Sequence, residues 1–301
     1  MKVLLTGSSG FLGKTLKSYF NQLGLEVKTL GRRIEDDYVV DLSKDQPISV
    51  KFPFECVVHC AGKAHSVPKT DLEREAFFNV NVLGTKNLLL GIEKSGWLPK
   101  SFVLISTVAV YGQETGQLIN EKSPLLASDA YGSSKIQAEQ LVRDWCKKHH
   151  IVCTILRLPL IAGPNPPGNL QAMIKGIKKG YYFNIAGGNA KKSMVLAQDV
   201  AEVIPRATLI GGTYNLTDGI HPKFSELSEL IALQLDKSKP SNIPLWLAKL
   251  MALAGDILGD KSPINNSKLK KITSDLTFDD THARKNLAWA PKSVIKEFSI
   301  A

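Results

Sequence analysis

Over the first 160 residues, short apolar runs alternate with longer segments in which apolar residues recur every three or four positions. Runs such as 2–6 and 101–106 are rich in Val, Ile and Leu and have the length of buried strands. Residues 77–90 instead have the spacing and length of a helix. Regular alternation of buried strands with helices predicts an α/β fold with a doubly wound parallel sheet.

The pattern changes after residue 160. Proline and glycine cluster over 163–168, and the elements that follow are short and mixed. We therefore predict a first domain over 1–160 and a smaller, interleaved C-terminal lobe over 161–301, with part of 195–220 able to return to the first domain. The carboxyl ends of the strands and the loops of such a lobe enclose a cleft, where folds of this kind bind ligands.

The composition is that of a chain able to bury a full core. Of its 301 residues 44% are hydrophobic, and no apolar run reaches the roughly 18 residues that a membrane helix needs. Glycines follow the first apolar run of the N-terminus too early for a signal peptide. The four cysteines include no CxxC pair. We expect a cytoplasmic protein without a transmembrane segment. The apolar segment 244–258 is predicted as core of the lobe, with a membrane-facing or partner-facing surface as the alternative.

The net charge is +10, with lysine clusters near 147, 175–179, 191 and 268–271. Such a charge suits nucleic acid, an anionic membrane surface or doubly phosphorylated small ligands. Aromatic residues make up only 7% and do not interleave with the basic runs, so base stacking is poorly supported and no nucleic-acid partner is expected. The spacing of His, Cys, Asp and Glu matches no metal site, so no metal is predicted.

A glycine motif stands between the first strand and the first amphipathic helix. Gly7 permits a tight turn, Gly10 lets backbone approach a pyrophosphate, and Gly13 lets the helix pack on the strand. The helix N-terminus then offers N–H groups to phosphates. A glycine turn in this context predicts a Rossmann-like, NAD(P)-binding first domain. The cofactor residues predicted here are Gly7, Ser9, Gly10, Phe11, Leu12 and Gly13.

The second strand, residues 25–30, ends in Gly31-Arg32-Arg33 rather than in the acid that accepts the ribose hydroxyls of NAD. Arginine binds a 2′-phosphate through paired hydrogen bonds, so NADP(H) is favoured and NAD is the alternative. Asp41 and Leu42 are predicted to contact the adenine, and Asn81 either holds a ribose or caps backbone. The remaining predicted cofactor residues follow a third strand and are Cys60, Ala61 and Gly62.

Candidate catalytic residues lie at Tyr131 and Lys135, which are one turn apart if this segment is helical. A phenol has a pKa near ~10, and a neighbouring ammonium stabilises its phenolate. A hydroxyl such as Thr107 can hold the substrate oxygen that gains or loses the proton. Together these groups are suited to hydride chemistry at a carbonyl or alcohol beside a nicotinamide. The alternative is an ordinary pair of neighbours on a helix surface.

Six motifs in order resemble the extended short-chain dehydrogenase/reductase superfamily, in particular its NAD(P)-dependent nucleotide-sugar epimerases and 4-ketoreductases. The motifs are Thr6–Gly13, His59–Gly62, Asn79–Thr85, Ser106–Gly112, Tyr131–Lys135 and Leu156–Pro159. The resemblance implies that Thr107 and Tyr131 are catalytic and that Lys135 tunes Tyr131 and binds the nicotinamide ribose. It also implies a UDP-sugar substrate and allows a homodimer through the helix that carries Tyr131.

Substrate residues also follow from the resemblance. Asn169 and Leu170 match the segment that holds a sugar-nucleotide diphosphate, and Phe183 begins the wall that holds the base. Lys192 stands where the family usually has an arginine, which loses the planar fork that grips a diphosphate. Lys63 and His65 either face the substrate or cap a loop.

One departure from the family pattern narrows the range of reactions that this chain is expected to catalyse. Related dehydratases carry an Asp-Glu pair after the catalytic threonine, where this chain has Val108-Ala109. We therefore predict NADPH-dependent reduction of the C4 ketone of a UDP-4-keto-6-deoxy-N-acetylhexosamine, a precursor of surface polysaccharide. The alternative is an NAD-dependent UDP-sugar 4-epimerase. A third hypothesis, a non-catalytic NADP-sensing or RNA-binding relative, is favoured by the charge but not by the intact catalytic residues.

Overall fold

The computed structural model describes residues 1–44, 53–64, 66–258 and 264–300. Its strands are β1 (Lys2–Thr6), β2 (Glu26–Gly31), β3 (Tyr38–Val39), β4 (Cys56–His59), β5 (Ser101–Thr107), β6 (Gly116–Ile119), β7 (Val152–Leu158), β8 (Leu160–Ala162), β9 (Asn184–Ile185), β10 (Met194–Leu196), β11 (Gly212–Asn215), β12 (Asn242–Ile243) and β13 (Leu276–Phe278).

The helices alternate with these strands and then dominate the second half of the chain. They are α1 (Phe11–Gln22), α2 (Asp71–Phe78), α3 (Gly84–Ser95), α4 (Ala130–His149), α5 (Gly168–Lys178), α6 (Ala197–Ile210), α7 (Phe224–Gln234), α8 (Leu245–Leu258), α9 (Asn266–Thr273), α10 (Thr281–Leu287) and α11 (Val294–Glu297). A π-helical turn, Asn79–Leu83, joins α2 to α3, and short 3₁₀ turns lie at Val108–Tyr111 and Ala186–Gly188.

Seven strands form the central sheet in the order β11-β7-β5-β4-β1-β2-β3, and every neighbouring pair is parallel. The chain builds outward from β1 to β3 and then returns to the other side of β1 at β4. This reversal opens a crevice at the carboxyl ends of β1 and β4, where doubly wound sheets bind ligands. The predicted α/β, Rossmann-like fold is confirmed.

Both faces of the sheet are covered, which explains why its strands are continuous apolar runs. Successive residues of β1 point to opposite faces. Val3 and Leu5 belong to the core under α1 and α6, whereas Leu4 belongs to the core under α3 and α4. The two cores hold the strands in place from both faces of the sheet. The loops that follow the strand ends are positioned as a result.

The C-terminal half contributes to both the sheet and a separate lobe. β11 is the edge strand beside β7, and α6 packs against α1, so residues 197–215 lie with the sheet. Two-stranded pairs form between β8 and β10, β9 and β12, and β6 and β13. A third core joins α5 and α7 with residues from β8 and β10. The division of the chain at residue 160 stays a prediction.

The apolar segment 244–258 differs from its predicted role as lobe core. In α8 the small residues Ala248 and Ala252 are buried, but the large ones, such as Trp246 and Leu250, are mostly exposed. No helix in the described ranges is both long and apolar enough to cross a membrane.

Candidate active site

The glycine turn between β1 and α1 is closed so tightly that side chains are excluded. Gly7 has a φ of +72°, and a Cβ on Gly13 would lie 2.0 Å from the carbonyl oxygen of Gly7. Gly10 is the N-cap of α1 and supplies no side chain to it. The first N–H groups of a helix have no partner within the helix, so backbone donors collect at this turn. Such a cradle fits the pyrophosphate of a dinucleotide.

One cavity of about 620 Å³ opens at this edge of the sheet. It brings together the glycine turn, the segment after β4, the end of β5 and the first turns of α4. Its lining residues are Gly7, Gly10, Phe11, Leu12, Gly13, Cys60, Ala61, Gly62, Lys63, Ala64, Ile105, Ser106, Thr107, Tyr131, Lys135, Leu158, Pro159, Leu160, Ile161, Pro167 and Asn169.

Tyr131 and Lys135 reach this cavity because α4 begins immediately before them. The Asp129 side chain caps the helix by accepting hydrogen bonds from the N–H groups of Tyr131 and Gly132, both at 3.0 Å. An i, i+4 pair then projects from one face. Thr107 ends β5 opposite them, and its hydroxyl accepts a hydrogen bond of 3.1 Å from the Ala109 N–H. The three predicted catalytic residues therefore meet at the glycine turn.

Burial shifts the two titratable groups in opposite directions. It raises the pKa of Tyr131, and the Thr107 hydroxyl acts against that shift. It lowers the pKa of Lys135 to about 8, with the Glu139 carboxylate acting against that shift. The Lys135 amine donates a hydrogen bond of 2.7 Å to the Ile105 carbonyl. Thr107 thus opposes the effect of burial on the pKa of Tyr131, and the tuning of Tyr131 by Lys135 stays a prediction.

A buried ion pair that the sequence motifs did not reveal lies beneath Lys135. Arg157 on β7 donates two hydrogen bonds to the Glu139 carboxylate, at 3.1 and 2.7 Å. Ser106 donates a third, of 2.6 Å, and Arg157 also donates to the Tyr111 hydroxyl at 3.0 Å. This network ties α4 to β5 and β7. Glu139 and Arg157 are 18 residues apart in the chain, so no local spacing indicated this pair.

His59 at the end of β4 is buried under the same edge. Its two ring nitrogens contact the hydroxyls of Thr6, at 2.7 Å, and Thr85, at 3.0 Å. Burial lowers the pKa of His59 to about 3, so the ring is neutral at physiological pH. Its place is structural, because it links β1, β4 and α3.

Two of the predicted cofactor residues contact neighbouring groups of the protein. Leu42 is buried in the core under α3, and the Asp41 carboxylate accepts hydrogen bonds from the backbone and hydroxyl of Ser43, at 3.1 and 2.7 Å. Ser9 lies in the glycine turn but does not line the described cavity. These three contacts with the cofactor stay predictions from the sequence.

Asn81 is buried, and its contacts are those of the backbone-capping alternative. Its side chain accepts a hydrogen bond of 2.7 Å from the Lys63 N–H and donates one of 3.1 Å to the Lys63 carbonyl. It also donates one of 2.9 Å to the Ser134 hydroxyl. Asn81 thereby fixes the loop after β4 to the helix that carries Tyr131.

An acid that the sequence motifs did not indicate lies beside the glycine turn. Asp36 is buried, accepts a hydrogen bond of 2.7 Å from the Ser8 hydroxyl, and accepts one of 3.1 Å from the Arg33 N–H. Arg32 and Arg33 are both exposed in the same loop. The end of β2 thus presents a carboxylate as well as two guanidinium groups.

The predicted substrate residues divide into two groups. Lys63, Thr107 and Asn169 line the cavity. The others that the structure describes lie away from it: Leu170 is buried in the core of the lobe, Phe183 is exposed, and Lys192 donates a hydrogen bond of 2.9 Å to the Ser274 carbonyl. His65 lies outside the described residues.

Comparison with known proteins decides the family. Residues 3–216 match the model of the NAD dependent epimerase/dehydratase family. The chain belongs to this family. A curated relative from Escherichia coli O157:H7, N-acetyl-alpha-D-glucosaminyl-diphospho-ditrans,octacis-undecaprenol 4-epimerase, is 30% identical in an alignment 306 positions long that covers 96% of this chain and 90% of the relative.

Other members of the epimerase/dehydratase family include reductases. The GDP-6-deoxy-D-mannose reductase of Pseudomonas aeruginosa is 27% identical over 77% of this chain and 79% of its own length. The structure of RMD from Pseudomonas aeruginosa complexed with NADPH has a TM-score of 0.75 and 22% identity, and covers 99% of this chain and 96% of that one, which shows the shared fold. The predicted family, the extended nucleotide-sugar epimerases and reductases, is confirmed, and the chain is an NAD(P)-dependent enzyme of that group.

Proposed function

We propose that this enzyme reduces the C4 ketone of a UDP-4-keto-6-deoxy-N-acetylhexosamine with NADPH. The observation that carries the proposal is the meeting of Thr107, Tyr131 and Lys135 with the glycine turn in one cavity. Val108 and Ala109, where the related dehydratases have an acid pair, leave the described site without the groups that elimination of water requires. A reaction confined to the ketone and the alcohol fits these residues.

The protonated form of Tyr131 is the form that a reduction requires. Because burial raises the pKa of Tyr131, the phenol holds its proton at neutral pH. NADPH, if held at the glycine turn, would supply hydride to the sugar carbon. Tyr131 donates its proton to the oxygen as the ketone becomes an alcohol, and the Thr107 hydroxyl holds that oxygen by a hydrogen bond. Asn169, at the edge of the cavity, is suited to hold the diphosphate.

The loop after β2 supports NADP(H). Arg32 and Arg33 are exposed there, and guanidinium groups bind a ribose 2′-phosphate through charge-assisted hydrogen bonds. A reductase needs fresh reduced cofactor at every turnover, which fits this choice.

Asp36 supports a second candidate, an NAD-dependent 4-epimerase of a sugar diphosphate. Its carboxylate lies at the glycine turn, 2.7 Å from the Ser8 hydroxyl. A carboxylate there accepts hydrogen bonds from the ribose hydroxyls of NAD and repels a 2′-phosphate. The Escherichia coli relative is an epimerase by name, and its substrate carries its sugar on a polyprenyl diphosphate.

The test begins with the cofactor that copurifies and continues with turnover. Purified enzyme is mixed with NADPH and UDP-4-keto-6-deoxy-N-acetylglucosamine, and the absorbance of NADPH is followed. We expect stoichiometric NADPH consumption, abolished by Tyr131→Phe with cofactor affinity nearly unchanged. Tyr181→Phe, at an exposed tyrosine, is the matched control and should retain activity. Tightly bound NAD with no net consumption would transfer the proposal to the epimerase, and turnover by Tyr131→Phe would remove Tyr131 from the mechanism.

A further inference from the structure

The outer face of α8 carries a stripe of large apolar side chains. Trp246, Leu250, Leu253 and Ile257 are 66%, 56%, 55% and 88% exposed. Their spacing of four, three and four residues places them on one side of the helix. Leu245, Leu247 and Met251 beside them are also exposed. A contiguous apolar surface of this kind marks an interaction site rather than scattered surface residues.

The inner face of the same helix is built of small residues. Ala248 and Ala252 are fully buried, Gly255 follows them one turn later, and this face packs against Ile264 and Leu269. Small residues let α8 lie close to the lobe, and its large residues then stand on the solvent side. The helix is therefore amphipathic in the opposite sense to an ordinary surface helix, in which the large apolar residues face the core.

Lysines border this apolar face. Lys249 on α8 and Lys270 on α9 line a cavity of about 390 Å³ between the two helices, together with Leu253. The remaining charged residue of α8, Asp256, accepts a hydrogen bond of 3.2 Å from the Asn266 N–H, which begins α9. Cationic side chains beside exposed apolar ones are the features by which interfacial helices bind anionic lipid.

We propose that α8 and α9 form a docking surface for an anionic lipid bilayer, with the stripe of α8 entering the headgroup boundary and Lys249 and Lys270 contacting lipid phosphates. Charge decides between this partner and a second copy of the chain. The chain carries +10, and a two-fold interface on this face would bring its lysines close to those of the copy. A bilayer rich in phosphate complements both features.

The proposed docking surface lies in the lobe rather than in the catalytic cavity. α8 begins after β12, which pairs in parallel with β9. Docking would therefore turn the lobe towards the membrane, and no residue of the candidate active site would contact the lipid. Membrane docking by this surface is separate from the proposed reaction and is expected whether the enzyme reduces or epimerises its sugar.

Vesicle co-sedimentation tests the inference without substrate. The full chain is mixed with vesicles of phosphatidylcholine alone or of phosphatidylcholine with phosphatidylglycerol. We expect sedimentation with the anionic vesicles, weakened at least about tenfold by the double variant Leu250→Glu/Leu253→Glu. The matched control is Leu209→Glu/Leu233→Glu, at leucines 79% and 75% exposed on α6 and α7, which should bind as the unchanged chain does. Lys249→Glu/Lys270→Glu should lose the preference for anionic lipid.

Three results would overturn the inference. The first is no sedimentation of the unchanged chain with anionic vesicles. The second is equal binding by the α8 variant and its control, which would assign binding to the general positive charge. The third is a dimer, seen by light scattering, that the α8 variant dissociates, which would assign the face to a second copy. Urea unfolding of each variant separates loss of docking from loss of fold, and turnover measured without vesicles tests the proposed reaction independently.

Discussion

Replacement of Lys135 by methionine should abolish turnover and yet stabilise the protein at neutral pH. Lys135 is 5% exposed, and burial lowers its pKa from 10.5 to about 8. A pKa change of one corresponds to about 1.36 kcal/mol, so the cost of holding the charged amine in the fold is on the order of 3 kcal/mol. Methionine has a similar length and no charge, and it removes this cost.

The net gain is smaller than that figure, because the amine also makes a favourable contact. Lys135 donates a hydrogen bond of 2.7 Å to the Ile105 carbonyl. Losing it costs about 1 kcal/mol, so we expect Lys135→Met to raise the free energy of unfolding by about 2 kcal/mol at pH 7. Lys147→Met, at an exposed lysine of the same helix, should change stability by less than about 0.5 kcal/mol.

The pH dependence gives the sharper assay. Between about pH 8 and pH 10.5 the unfolded chain holds the Lys135 proton more tightly than the folded one, so the stability of the unchanged protein rises with pH relative to the variant. Urea unfolding at several pH values should show the advantage of Lys135→Met declining across this window. A variant that is less stable at pH 7, or an advantage that does not change with pH, would refute the reasoning.

Three further outcomes follow from the same geometry. Arg157→Met removes two hydrogen bonds from the buried Glu139 carboxylate, which keeps a partly exposed partner in Arg143 at 2.7 Å, and we expect a loss of about 3 kcal/mol in urea unfolding. A loss below about 1 kcal/mol would contradict this expectation. Gly13→Ala places a Cβ 2.0 Å from a carbonyl oxygen of the glycine turn, so calorimetry should find cofactor binding lost. Gly24→Ala meets no atom within 4 Å but strains a φ of +67°, so this control should lose some stability and still bind the cofactor normally. Asp36→Asn should weaken NAD relative to NADP by about tenfold in the same assay, and an unchanged ratio would exclude Asp36 from ribose binding.

The sequence predicted those parts of the site that depend on local spacing. Gly7 and Gly13 lie in a strand–turn–helix unit whose geometry follows from a few consecutive residues. Tyr131 and Lys135 lie on one helix, so their separation of four residues fixes their relation. The doubly wound sheet was predictable for the same reason, since its strands and helices have distinct periods.

The parts that depend on the path of a loop were not predictable in this way. Asp36 lies five residues beyond the end of β2, and only the folded loop returns its carboxylate to Ser8. In α8 nearly every position is apolar, so the pattern alone did not reveal that Ala248 and Ala252 face inward. Leu170 matches a family segment in sequence, but the rotation of α5 turns it into the core.

Burial explains how the predicted catalytic pair, Tyr131 and Lys135, differs from the same residues on a surface. Tyr131 and Lys135 have pKa values shifted in opposite directions because each shift favours the uncharged side chain. The uncharged phenol still holds the proton that reduction consumes, while the amine changes form near pH 8. In the proposed reduction, proton donation leaves a phenolate, which a charged Lys135 one turn away would stabilise. We therefore propose that the helical spacing of this pair acts on the charge that develops on Tyr131 during the reaction, rather than on the resting phenol.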